Sequence, residues 1–170
     1  MKVKKAKIPT DSSIRNYLPV DYSDVYACEI ISEKAIIPDD IMISFWTDSP
    51  AWVNTLFKLR NFLVKFVGLK SSEEGNLENF VKCIRTGESY RFVSVSAKSN
   101  NETVLLLADS HLNAYLSVHI RHHEKSKKVS AITLVNFKNR LGRIYFFIIR
   151  PFHGVVVKSL LKRAITKTIG

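Results

Sequence analysis

The residues able to do chemistry are five histidines, two cysteines and an uneven set of cations. His119, His122 and His123 read His-x-x-His-His. On a helix that spacing would suit a divalent metal. Residues 112–122, however, alternate apolar and polar, the pattern of a strand. A strand sends His122 and His123 to opposite faces and separates His119 from His123 by about 13 Å, too far to share one ion. No metal site is expected. His153 follows Arg150 by three residues within a helical pattern. An imidazole there can serve acid–base chemistry, and a guanidinium can grip a carboxylate or phosphate through two parallel hydrogen bonds. The plainer role of His153 is that of a hydrogen-bonded, partly buried side chain. The chain has no Gly-x-Ser-x-Gly elbow, phosphate loop or dinucleotide fingerprint, and Cys28 and Cys83 have no histidine beside them in sequence. No nucleophilic site and no cofactor are expected.

Aromatic residues supply a second kind of candidate site. Trp46, Trp52, Tyr90, Phe92, Tyr145, Ile148 and Phe152, with Arg150 and His153 as the polar groups, could line a pocket for a small apolar molecule. Such pockets need apolar walls and a few polar groups for orientation. Each aromatic taken singly is better explained as core.

The charge is lopsided. The net charge is +11, and no Asp or Glu occurs after Glu124, so residues 125–170 hold all of the excess. Arg143, Lys158, Lys162 and Arg163 form the candidate surface for an anionic partner, a membrane or a nucleic acid. A solvated helix face explains the same cations more simply. Nucleic acid is disfavoured, since no recognisable binding module accompanies the charge.

One domain's length, 46% hydrophobic residues and a mean hydropathy near zero fit a single globular domain over residues 1–170, with 1–17 as a partly flexible N-terminal segment. The basic start lacks a following apolar run, so no secretion signal is expected. The apolar stretches at 52–67 and 141–157 are broken by charges, so no membrane span is expected. Buried, unpaired thiols at Cys28 and Cys83 fit the reducing cytoplasm.

Residues 25–31 read as a first strand, with Tyr22 near its start. Pro38, Asp39 and Asp40 open a helix reaching Phe45 or Trp46. Ser49 and Pro50 open another, predicted to run to Val67 before Gly68. Its polar stripe is Asn54, Lys58, Asn61 and Lys65. Residues 71–76 read as a loop. A short strand is expected at 80–84, and four more at 90–97, 103–108, 112–122 and 129–137, with a charged turn at 125–128, make an antiparallel meander. A final helix spans residues 139–168. Leu141, Tyr145, Ile148, Phe152 and Val155 are its predicted core face. Pro151 should kink or split it.

Two stretches carry a resemblance: residues 49–61 running on to 67–70, and residues 139–153, which end in Arg-Pro-Phe-His. Asp109-Ser110-His111-Leu112 between them resembles a recurring Asp-x-His-Leu turn. Together, over residues 18–164, they resemble a bacterial family called domain of unknown function 2867. In element order the chain is similar to the START-like, or SRPBCC, helix-grip superfamily. That resemblance implies an α+β fold, a curved antiparallel sheet gripping a long C-terminal helix, with two shorter helices after the first strand. It also implies an apolar ligand held between sheet and helix. The alternatives are an enzyme of cyclase, hydrolase or redox-partner type in the same cavity, and a peripheral module using the basic C-terminal half. A non-enzymatic binder is the leading expectation.

Overall fold

The computed structural model describes residues 1–56 and 76–170. Its centre is a strand pair that the sequence marks clearly. Leu112–His122 alternates over eleven residues and pairs antiparallel along its full length with Lys127–Phe137. The elements in chain order are β1 (Lys4–Lys5), a 3-10 turn (Ser13–Tyr17), β2 (Tyr22–Ile30), α1 (Pro38–Thr47), α2 (Leu77–Thr86), β3 (Ser89–Tyr90), β4 (Val93–Lys98), β5 (Glu102–Ala108), β6 (Leu112–His122), β7 (Lys127–Phe137) and α3 (Arg140–Ile169). Residues 51–56 are also helical. The remainder of the helix expected to reach Val67, and positions 71–75 of the expected loop, lie outside the described residues.

The seven strands form one open antiparallel sheet in the order β1-β2-β7-β6-β5-β4-β3. The meander is β3 to β7. The first long strand closes it from the far side, pairing Tyr22 through Ile30 with β7. α1 and α3 cover the front face, whose core includes Cys28, Val118, Ile120, Val129 and Leu161. The back face is covered by the N-terminal segment. Ile14 is fully buried there against Val25, Val104, Ile132 and Leu134, so residues 1–17 are docked rather than free. The result is an α+β fold of the helix-grip type.

Several expectations are corrected. The predicted strand at 80–84 is helix α2. Asn76 caps it through Oδ1, which accepts from the backbone N–H of Glu78 (2.8 Å), and Gly87 ends it in the left-handed region at φ 78°. A short apolar run looks alike in strand and helix, and the two caps decide it. The strand predicted at 90–97 is broken into β3 and β4 by a turn at Arg91, whose φ is 58°. The turn before β7 falls at 123–126. α3 runs unbroken through Pro151.

The predicted core face of α3 is also wrong. Leu141, Ile148, Phe152 and Val155 are 41–55% exposed. The neighbouring row of Gly142, Phe146, Val157, Leu160, Leu161 and Ala164 faces the protein instead. Two glycines select that row, because each lets the helix approach where a side chain would collide. A Cβ on Gly142 would stand 2.2 Å from the His111 carbonyl oxygen, and one on Gly154 would stand 2.3 Å from the Tyr26 hydroxyl.

A candidate anion-binding cleft beside a buried carboxylate

β2 carries Tyr22, Asp24 and Tyr26 at period two, so all three point to the front face beneath α3. In the strand's register Asp24 lies opposite Thr133 on β7. α3 brings His153 down onto this row. His153 Nε2 stands 3.4 Å from Asp24 Oδ2 and 3.3 Å from Thr133 Oγ1, and the Tyr22 hydroxyl donates to Asp24 Oδ2 at 2.8 Å. Asp24 is 5% exposed, and its Oδ1 has no hydrogen-bonding partner. Buried carboxylate oxygens are seldom left so. Burial, followed by the hydrogen bond to Asp24, holds the Tyr22 phenol far above its ordinary value of 10.0. It is therefore a neutral donor at ordinary pH. Burial raises Tyr26 in the same direction.

Outside this cluster the strand and helix edges part to leave a cleft of about 440 Å³. Its walls are Tyr22, Ser23 and Tyr26 from β2 and Arg150, Pro151, Gly154 and Lys158 from α3, with Lys5 from β1. The Arg150 guanidinium lies 5.5 Å from the centre of the Tyr22 ring, and Lys158 Nζ lies 5.6 Å from that of Tyr26. Among the described residues, none of Lys5, Arg150 and Lys158 forms an ion pair with a carboxylate. Asp21, the acid on the rim, accepts from the Phe137 backbone N–H at 2.8 Å and stands 3.9 Å from Arg143. The cleft therefore presents three cations on aromatic walls. That chemistry suits a phosphate or carboxylate attached to a flat or weakly polar body.

The predicted site residues do not form one site. Arg150 and His153 converge on Tyr22. Tyr145 packs edge-on against His111 at 5.2 Å, while Ile148 and Phe152 face outward. Trp46 packs against Phe80 of α2, and Trp52 is 43% exposed. Tyr90 and Phe92 sit at the opposite edge of the sheet, where the Tyr90 hydroxyl accepts from the Asn76 backbone N–H at 3.0 Å. Among the described residues, the opening under the helices between Met42, Phe45, Leu116, Thr133 and Val157 is about 10 Å³. That is near the minimum for one water and far below a ligand's volume. Of the predicted anionic-surface residues, Lys158 joins the cleft, while Arg163 is held by Asp48 at 3.0 Å. Lys162 and Arg143 are exposed.

His119 is 2% exposed and lies 3.4 Å from Asp11, whereas His122 and His123 are exposed. Among the described residues, no group of three potential ligands converges on a metal position. Cys28 and Cys83 are free and buried, and burial raises both thiols. The residues missed in sequence are Lys5, Tyr22, Asp24 and Tyr26. The signal for the last three was a carboxylate flanked at period two by tyrosines within one strand.

A sheet gripping a C-terminal helix, with a basic aromatic cleft where the two meet, defines an α+β protein of the helix-grip class. The family model described as "Protein of unknown function (DUF2867)" matches residues 17–160, most of the chain, and the protein belongs to that family. No curated protein and no solved structure matches it.

Proposed function

We propose that the protein is a binding module for a small molecule carrying a phosphate or carboxylate, held in the cleft between β2 and α3. The observation that carries this reading is the meeting of Lys5 from β1 with Arg150 and Lys158 from α3 around one opening, with no carboxylate partner among the described residues. Arg150 and Lys158 take the anionic head, and the rings of Tyr22 and Tyr26 take the less polar body. This reading sets the ligand at the open edge of the grip, where the described residues leave about 440 Å³, rather than in the interior expected on grounds of fold, where the opening they leave beside Met42 and Val157 is about 10 Å³.

The test is a titration of isotope-labelled protein with inorganic phosphate and with acetate, followed by amide chemical shifts. Shifts should cluster at residues 21–26 and 150–158. Arg150→Ala should weaken the response about tenfold, the scale of one lost charge-assisted contact. Shifts elsewhere, or an Arg150→Ala chain that binds as well as the parent, would remove this reading.

A second reading is favoured by the pairing of His153 with buried Asp24 behind Tyr22, one wall of the same cleft. A carboxylate fixes an imidazole's orientation, and the pair can move a proton to or from a bound molecule. A hydrolase or cyclase would use it so. The discriminating variant is His153→Gln, which should abolish turnover of a cleft ligand if the protein is an enzyme and leave binding largely intact if it is not.

A further inference from the structure

A helix packed on a protein ordinarily turns its polar side to water. The first half of α3 does the opposite. Leu141, Ile144, Phe147, Ile148, Phe152 and Val155 are 41–76% exposed, with Phe147 the most open. At 100° per residue they occupy one arc of about 140°. Arg143 and Arg150 follow the Phe147 edge of that arc, and Arg140 and Lys158 bracket it at either end. By length and composition α3 could cross a membrane, and only 22% of its most apolar stretch is buried. Its second half, however, is committed to the core through Val157, Leu160, Leu161, Ala164 and Ile165. The helix is thus fixed along the body of the protein with its apolar arc outward, the geometry of a helix lying in an interface.

We propose that the first half of α3 docks the protein onto an anionic lipid bilayer. Phe147 and Phe152 enter the boundary between headgroups and acyl chains, and Arg140 and Arg143 reach the headgroup phosphates. Charge chooses this occupant. No acid follows Glu124, so α3 carries cations alone. Two copies joined through this face would set arginine against arginine with nothing on the helix to neutralise them. An anionic lipid surface matches both the apolar arc and its basic border.

The experiment is co-sedimentation with vesicles of phosphatidylcholine, with and without one-third phosphatidylglycerol. The parent chain should bind the mixed vesicles at low salt, ignore pure phosphatidylcholine, and be released as salt rises. Phe147→Glu with Phe152→Glu should weaken binding at least about tenfold, because two aromatic insertions are lost. The melting temperature should hold, since both side chains are already exposed. Phe147→Ser serves as a milder variant. Failure to bind mixed vesicles at low salt overturns the proposal, as does undiminished binding by the variants. A lipid-free dimer that Phe147→Ser converts to monomer would also overturn it, assigning the face to a second copy. Phosphate binding in the cleft, measured in the double variant, should persist, so the two readings can fail separately.

Discussion

Glu102 on β5 and Asp24 on β2 point to opposite faces of one sheet, and both are at most 5% exposed. On the back face Glu102 is fully occupied. Oε1 accepts from the hydroxyls of Ser12 and Ser117, each at 2.5 Å, and Oε2 accepts from the Ser13 backbone N–H at 2.6 Å and its hydroxyl at 2.7 Å. Three of the four donors come from the N-terminal segment, so this carboxylate fastens that segment over the sheet. On the front face Asp24 has the Tyr22 hydroxyl and nearby His153, while its second oxygen is buried without a partner behind Tyr22, a wall of the cleft. A satisfied buried carboxylate holds structure, and an incompletely satisfied one next to a cavity retains capacity for a ligand or a proton. The same chemical group thus marks the sealed side of the sheet and the open side.

The largest effect should come from the sealed side. Glu102→Ala leaves the three serine hydroxyls and the Ser13 N–H without their acceptor, and should cost on the order of 3 kcal/mol. Chemical denaturation measures it. Phosphate shifts at residues 21–26 should be unchanged, because the cleft lies across the sheet. A loss of phosphate binding in folded Glu102→Ala protein would show that the two faces are coupled and break the comparison.

Tyr22→Phe probes the open side and should cost less, about 1–2 kcal/mol, by removing one donor from Asp24. It also carries a pH signature. The folded-state value of Tyr22 lies above its unfolded value, so its contribution is fully present below pH 10 and is lost as pH rises beyond it. The parent's stability should therefore fall more steeply above pH 10 than that of Tyr22→Phe. Equal slopes would mean that Tyr22 is not buried against Asp24.

The sequence foretold best where one physical rule acted alone. β6 has water-facing or polar positions alternating with Leu116, Val118 and Ile120, and its bounds at Leu112 and His122 were legible from that period. α3 was legible as a helix, but its orientation was not. Leu141, Phe146, Ile148, Phe152 and Val157 surround the axis, so periodicity offered two apolar rows, and Gly142 and Gly154 chose between them through contacts with His111 and Tyr26 that no local pattern records. The candidate site was half legible for a related reason. Arg150 and His153 stood out on the helix, whereas their meeting with Tyr22 and Asp24 depends on β2 pairing with β7 across more than a hundred residues of chain.

The smallest predicted effect asks whether the back face is sealed from its buried centre or also from its rim. Asp11 lies at that rim, paired with Arg121 and 3.4 Å from His119. The hydrogen bond from Arg121 lowers the Asp11 carboxyl below its ordinary 3.8, even though partial burial opposes the shift. A lowered folded-state value gives stability that is present above about pH 4 and lost as pH falls through the folded value. The Asp11 side chain is 51% exposed, so solvent screens the pair and Asp11→Asn should cost only about 0.5 kcal/mol at pH 7. The parent and the variant should draw together in stability as pH falls below about 4. If instead Asp11→Asn released the N-terminal segment at pH 7, seen as rapid hydrogen exchange at residues 12–17, the rim rather than Glu102 would be what holds the back face closed.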